Sequence, residues 1–325
     1  MSKLIFSLTI ITFGLALGYG VQILVNRDII RLRLPLDRLR KMLQKVALLF
    51  LNPVAIIGAI WIVNIKNAAL AALPFLGFLA LLTGGVLALG IARVLRLEPQ
   101  KTGALFPCGS FTNIGSIGAL VCFVFLGERG FALVPIYKLF EETSYYAIGF
   151  PIAKYYSGGV EGRDSTTDRL KSLATDPFIL VAVSSLVLGA CLNLSGIHRP
   201  EVYRQINGIF VPLATILLLT SIGLAMKFRS VGHYLKECFS IAAIKFLVVP
   251  LIVSASAYVI GFGRIDDGLP LKVVIILSSM PVAFNALIPP SIYNLDLDLA
   301  NSCWFFTTAS LIVVLPLLLV VVNSF

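Results

Sequence analysis

The chain has 325 residues, of which 58% are apolar and only 13% are charged, and its mean hydropathy is +0.96. Soluble domains carry roughly 25% charged residues, so this chain has about half the usual share. A water-soluble enzyme of this length could not bury so much hydrocarbon, and the composition therefore indicates an all-α polytopic membrane protein. The net charge of +10 is typical of basic cytoplasmic loops. Because no basic stripe is interleaved with aromatic residues, we predict no nucleic-acid partner.

Ten apolar segments of about the length that spans a bilayer follow one another along the chain. The first is too long for a signal-peptide core and lacks a cleavage site, so we interpret it as a retained span. The ten predicted spans cover residues 4–25, 46–63, 69–94, 102–125, 131–155, 177–194, 206–226, 239–261, 271–289 and 301–322.

Lys and Arg are distributed unevenly between the two sets of loops. The odd-numbered loops and the span ends beside them hold 17 of them, whereas the termini, the even-numbered loops and the span ends beside them hold 7. The positive-inside rule therefore places the odd-numbered loops in the cytoplasm and both termini outside it. The loop after span nine carries no basic residue and does not support this orientation.

A long polar break at residues 156–176 divides the ten spans into two sets of five. An odd number of spans in each half inserts the second half upside down, which predicts an inverted repeat. The predicted organisation is a first repeat at 1–155, a cytoplasmic linker at 156–176 and an inverted second repeat at 177–325. The halves also match locally, because Asn113 follows Lys101 by 12 residues in span four and Asn285 follows Lys272 by 13 in span nine.

Spans four and nine are poor continuous helices. Span four holds three glycines and four polar side chains between Cys108 and Gly118, and span nine contains Pro281. We expect two broken helices that cross near the midplane and direct their electropositive N-terminal ends at a bound anion. The predicted substrate-binding residues are Asn52, Ser110, Thr112, Asn113, Ser116, Pro281 and Asn285. The alternative is packing glycines and self-satisfied amides in kinked helices, with Asn52 satisfying a carbonyl freed by Pro53.

Span five carries three ionisable residues, Lys138, Glu141 and Glu142. Glu141 lies about 15 Å along the span at 1.5 Å per residue, and intramembrane ionisable groups usually mark a pathway. Lys138 can pair with one carboxylate and leave the other to bind a proton or sodium, so we predict an ion-coupling cluster. The alternative is a self-neutralised structural pair. For Lys245 in span eight, snorkelling to the interface is the favoured interpretation.

The remaining reactive residues exclude several other classes of protein. Five scattered cysteines and two histidines form no disulfide framework or metal pattern, so no metal and no cofactor are predicted. An intramembrane hydrolase needs a Ser–His pair or paired aspartates, and the predicted spans contain neither histidine nor aspartate.

Short motifs across nearly the whole chain resemble the auxin efflux carrier (AEC) family. They are Gly18-Tyr19, Asn52-Pro53-Val54, Asn113-Ile114-Gly115, the segment from Lys245 to Pro250, Met280-Pro281 and the segment from Tyr293 to Ala300. The resemblance implies ten helices in inverted five-helix repeats, a crossover of spans four and nine, and transport of small organic anions.

In that family, plant PIN carriers move auxin, and bacterial relatives are associated with malate and malonate. The family's crossover asparagine maps onto Asn113, and its span-nine proline and asparagine map onto Pro281 and Asn285. The Lys138–Glu141–Glu142 cluster departs from the family pattern, which leaves the coupling ion open. The short loop after span five favours a bacterial-type member in the inner (plasma) membrane.

The sequence thus predicts a secondary transporter that carries a mono- or dicarboxylate by elevator-like alternating access. Its predicted partners are the organic anion, membrane lipid and a proton or sodium ion, and a homodimer is one alternative for its oligomeric state. Two other functions stay open: a sodium-coupled symporter of the bile-acid type and a carrier-like membrane sensor that does not transport.

Overall fold

The structure is a computed structural model that describes residues 2–30, 34–63, 67–157, 176–226 and 231–324. Within these ranges the chain is helical, and its only β pairing is an isolated bridge. Seven helices are long and apolar enough to cross a membrane, and a bent pair, Leu297–Ala309 with Leu311–Asn323, brings the number to eight. The predicted all-α polytopic membrane class is confirmed.

Two interrupted spans and one merged pair of spans explain why the structure has fewer candidate membrane helices than the ten predicted spans. Spans four and nine are interrupted, so their first pieces, Pro99–Ser110 and Leu269–Ser278, are only 12 and 10 residues long. One helical stretch, Ile114–Tyr155, covers the end of span four and all of span five. Gly127, with φ of 75°, turns the backbone between them, because glycine tolerates a positive φ. The ten-span count and the inverted repeat stay predictions.

The chain forms two compact units that combine distant parts of the sequence. Unit 1 consists of Met1–Asn67, Gly115–Pro135 and Thr175–Lys227, and unit 2 consists of Ala68–Ile114, Ile136–Ala174 and Phe228–Phe325. The two predicted repeats are halves of the sequence, whereas each unit combines segments from both halves. The units therefore do not test the repeat boundaries, which also stay predictions. Most of the predicted linker at 156–176 lies outside the described residues.

Unit 1 is built around a close pair of helices. Its helices include Ser2–Asn26, Leu36–Val46, Asn52–Ile60, Pro177–Leu194 and Val202–Gly223. A Cβ atom at Gly18 would lie 2.1 Å from the Thr220 carbonyl oxygen and 2.9 Å from the Gly223 Cα. Only glycine allows the first and last of these helices to approach so closely.

Polar contacts join the ends of several spans and two loops at one end of unit 1. The Asn193 side-chain amide donates to the carbonyls of Ile60, Trp61 and Val63 at 2.8–3.0 Å, which satisfies the end of helix Asn52–Ile60. Arg199 forms a 2.6 Å ion pair with Glu128. The ends of predicted spans two and six and the loops after spans four and six therefore meet at one end of this unit.

Unit 2 contains the interrupted spans. Its longer helices are Leu73–Val94, Pro99–Ser110, Leu235–Ala243, Val249–Val259, Leu269–Ser278, Leu297–Ala309 and Leu311–Asn323. The Tyr234 hydroxyl donates to the Asp296 carboxylate at 3.0 Å, and the Asp296 N–H donates to the Gln100 carbonyl at 3.5 Å. The loops after predicted spans three, seven and nine thus meet at one end of unit 2. The loop after span nine, which carries no basic residue, therefore lies at the same end as the two basic loops.

Three π-helical turns each end two residues before a proline. They are Ala47–Leu51 before Pro53, Tyr145–Gly149 before Pro151, and Ile244–Val248 before Pro250. Proline lacks an N–H and its ring clashes with the carbonyl four residues earlier. A locally widened turn relieves that clash and redirects the neighbouring side chains.

Gly84 and Gly109 provide a direct test of the packing of unit 2. A Cβ at Gly84 would lie 2.1 Å from the Gly109 carbonyl oxygen, whereas a Cβ at Gly90 in the same helix meets nothing within 4 Å. We expect Gly84→Ala to lower the free energy of unfolding by about 1–3 kcal/mol through overpacking. Gly90→Ala should be neutral or stabilise by up to about 1 kcal/mol through helix propensity. Thermal unfolding in detergent checks both, and equal melting temperatures for the two variants would contradict the close approach.

Candidate functional site

The two interrupted spans meet backbone to backbone inside unit 2. Residues 111–113 and 281–283 form a short antiparallel pairing centred on Thr112 and Val282. The Asn113 N–H donates to the Pro281 carbonyl at 2.9 Å, and the Ala283 N–H donates to the Phe111 carbonyl at 3.1 Å. We call this pairing the crossing.

Side chains from other helices satisfy further backbone donors at the crossing. The Val282 N–H donates to the Thr307 hydroxyl at 3.2 Å, and the Thr112 N–H lies 3.4 Å from the Tyr145 hydroxyl oxygen. Freed backbone groups at membrane depth need such partners, because no water is present to replace them. The N–H groups of the crossing itself are therefore used within the protein and are not the donors that an anion would meet.

Lys245 lies beside the crossing, and the snorkelling interpretation is wrong. Its side chain is 1% exposed, and its Nζ donates to the Thr112 Oγ1 at 2.7 Å and to the Ser110 carbonyl at 3.3 Å. Ser110 is the last residue of helix Pro99–Ser110. The ammonium thus stands at the electronegative C-terminal end of that helix, where a positive charge is stabilised.

The predicted ion-coupling cluster lies at a break in span five. The helix Ala119–Tyr137 ends before Lys138, and the next helix begins at Glu141, so the expected single helix over 131–155 is interrupted. The Lys138 ammonium lies 3.0 Å from Glu141 Oε2, and the Tyr145 hydroxyl donates to Glu141 Oε1 at 2.6 Å. Glu141 is 5% exposed and Tyr145 is 2% exposed, so this carboxylate is buried together with its hydrogen-bond donor, whereas Lys138 is 32% exposed.

A continuous polar chain connects the ion-coupling cluster to the crossing. It runs from Lys138 through Glu141, Tyr145 and Thr112 to Lys245. Tyr145 has one hydroxyl hydrogen, which is donated to Glu141, so its oxygen is the acceptor for the Thr112 N–H. We call these five residues the polar chain.

Two members of the polar chain, Tyr145 and Lys245, were not predicted as site residues. Both belong to π-helical turns that precede prolines, Pro151 and Pro250. Such turns are frequent at functional sites, so a polar residue five or six positions before a proline in an apolar span was the available signal. Tyr145 is also held by stacking on Phe111, with ring centroids 3.8 Å apart.

The structure brings together only some of the predicted site residues. Ser110, Thr112, Asn113 and Pro281 are buried at the crossing, and Glu141 is linked to them by the polar chain. Asn285 lies beyond the break in the turn Phe284–Leu287 and is exposed, whereas Glu142 is half-buried.

Two predicted substrate-binding residues, Asn52 and Ser116, belong to unit 1 rather than to the unit that holds the crossing. Asn52 is half-buried and begins helix Asn52–Ile60, directly before Pro53. Ser116 is buried in the π-helical turn Ile114–Gly118. The binding roles of all seven residues stay predictions.

A helical protein with many spans and a buried polar crossing is typical of membrane transporters. The chain is 28% identical over 233 residues to an uncharacterized transporter of Methanothermobacter thermautotrophicus, covering 72% of each chain. It is 27% identical over 249 residues to an uncharacterized transporter of Methanocaldococcus jannaschii, covering 74% of this chain and 76% of the relative. No family model matches the chain. The fold and the names of these two relatives support a membrane transporter rather than an enzyme.

The Tyr145 hydroxyl gives a test of the polar chain. We expect Tyr145→Phe to lower the free energy of unfolding by about 1–3 kcal/mol, because a buried carboxylate and a buried N–H each lose a partner. Tyr258→Phe is the matched control, since Tyr258 is 66% exposed in the same unit, and should change stability by less than about 0.5 kcal/mol. Thermal unfolding in detergent checks both, and an unchanged melting temperature for Tyr145→Phe would exclude the bridging role.

Proposed function

We propose that the protein is a secondary transporter that carries a small organic anion across the membrane by alternating access. The observation that carries this proposal is the crossing, a backbone pairing between two interrupted spans with Lys245 buried beside it. Broken spans are expensive in lipid and are tolerated where they are buried in protein or line a water-filled cavity. In transporters they form substrate sites near the midplane.

The composition of the two units supports ten spans in two inverted five-helix repeats. Unit 1 takes predicted spans one and two and residues 115–135 from the first half of the chain, and spans six and seven from the second. Unit 2 takes span three, the first part of span four and most of span five from the first half, and spans eight, nine and ten from the second. Apart from residues 115–135, whose counterpart in the second half belongs to unit 2, each unit draws corresponding segments from the two halves, as a repeat would.

The chemistry at the breaks favours an anion as the transported species. The helical segments after the breaks begin at Ile114 and Phe284, and the N-terminal end of a helix carries partial positive charge. Asn113 and the exposed Asn285 would add amide donors, and Lys245 would add a positive charge when it is protonated. A mono- or dicarboxylate such as malate or malonate, which the AEC resemblance implies, suits this donor set.

Alternating access requires that the site be reached from each side of the membrane in turn. We propose that unit 2, which holds the crossing, changes its position in the membrane during the cycle, in an elevator-like manner. The bile-acid-type sodium symporter and the non-transporting sensor are alternative outcomes of the experiments below.

Counterflow in proteoliposomes tests the proposed function. Vesicles preloaded with unlabelled malonate or malate should accumulate the labelled anion from outside at equal pH on both sides. We expect Asn113→Ala to reduce the initial rate by about tenfold or more, because a hydrogen bond to a charged group contributes about 1.5–3 kcal/mol.

Asn323→Ala is the matched control, since Asn323 is an exposed asparagine at the end of the last helix of the same unit. It should retain wild-type counterflow, and both variants should insert into the membrane normally. Equal rates for the two variants would overturn the crossing as the site. Binding of malonate in a thermal-shift assay without any counterflow would identify a sensor, and a strict sodium requirement would favour the bile-acid-type alternative.

A further inference from the structure

The charges of the polar chain and its neighbours sum to zero when every group is ionised. Lys138 and Lys245 are the cations, and Glu141 and Glu142 are the anions. Helix Leu73–Val94, which packs against the segment that begins at Glu141, carries no charged residue except Arg93 near its end. In this helix, the Leu81 carbonyl marks the level of the crossing, because it accepts a hydrogen bond from Ser110. Arg93 lies 12 residues, or about three helical turns, beyond Leu81. The charge state of this region therefore depends on Glu141 and its immediate partners.

One oxygen of the Glu141 carboxylate accepts a hydrogen bond, and the other forms an ion pair. Oε2 faces the Lys138 ammonium at 3.0 Å, and Oε1 accepts from the Tyr145 hydroxyl at 2.6 Å. A hard metal cation needs several oxygen ligands with open lone pairs, and an ammonium beside the carboxylate repels a second cation. A proton needs only one carboxylate oxygen.

We propose that Glu141 binds the coupling proton, so that one proton is carried with each anion. The proton adds to Oε2 and converts the carboxylate to a neutral carboxyl group, which ends the ion pair with Lys138. The Lys138 side chain is 32% exposed, so its ammonium has room to move away from the carboxyl group, while Tyr145 continues to donate to Oε1.

Charge balance then links proton binding to anion binding. Protonation raises the total charge of the region from zero to +1, and one carboxylate from the substrate returns it to zero. Each binding event therefore favours the other by the same factor. Tyr145 and Thr112 join Glu141 to the crossing, so the two events take place on one hydrogen-bonded chain.

This inference rests on the proposed transport function and adds the coupling ion, the atom that binds it and the stoichiometry. Its first test uses labelled malonate in proteoliposomes at zero membrane potential, with an acidic exterior. Each unit of pH difference should raise the steady-state accumulation by up to about tenfold for each proton carried. Glu141→Gln keeps an acceptor for Tyr145 but cannot bind the proton, so its accumulation should be independent of the pH gradient.

Glu237→Gln, a half-buried position in the first turn of helix Leu235–Ala243 outside the polar chain, should keep the wild-type pH response. A sodium gradient at equal pH should leave accumulation unchanged. If sodium drives accumulation, or if Glu141→Gln keeps the wild-type pH response, the proposal is overturned. Absence of malonate and malate counterflow at equal pH is the separate result that rejects the proposed function.

A second measurement needs no transported anion. Infrared difference spectra of the purified protein should show the carbonyl stretch of a protonated carboxyl group growing on acidification. Other carboxyl groups that protonate contribute bands of their own, so the Glu141 band is the component that Glu141→Gln lacks and Glu237→Gln keeps, and it should be insensitive to sodium. Identical bands in wild type and Glu141→Gln would show that the proton binds elsewhere, and a band that sodium removes would assign Glu141 to a metal cation.

Discussion

The organisation of unit 2 depends on one constraint, which is that a backbone group released from a helix inside the bilayer must find a partner within the protein. Two spans are interrupted, and each supplies partners for the other through the pairing of residues 111–113 with residues 281–283. Thr307 and Tyr145 satisfy further N–H groups, and Lys245 satisfies a helix-end carbonyl. Polar side chains of the surrounding helices therefore lie at the breaks, and together they form a buried polar site.

Glycines and prolines outside the polar chain position the helices and turns that form this site. Gly84 and Gly109 let two helices of unit 2 approach closely, and Gly149 leaves room for the Phe111 ring, which a Cβ there would meet at 2.5 Å. Pro151 and Pro250 follow the π-helical turns that carry Tyr145 and Lys245. Residues without functional side chains therefore set the positions of those that have them.

The sequence was sufficient to predict the membrane class and the two breaks, because Pro281 and the glycines around Asn113 oppose a continuous helix wherever they occur. It was insufficient for Lys245, since depth along a span suggests snorkelling but does not reveal that a helix end lies within reach. Tyr145 is an ordinary aromatic residue in an apolar run, and its role depends on a contact with Thr112, 33 positions away. Glu141 was predicted from its charge, but the donors on its two oxygens could be identified only in three dimensions.

A cryo-EM structure of the protein in lipid nanodiscs, determined with and without malonate, tests the central claim most directly. We expect the backbone to leave the helix near Thr112 and near Val282, with the two segments paired and malonate density beside Asn113. Two continuous helices through these positions, or malonate density remote from the crossing, would contradict the account.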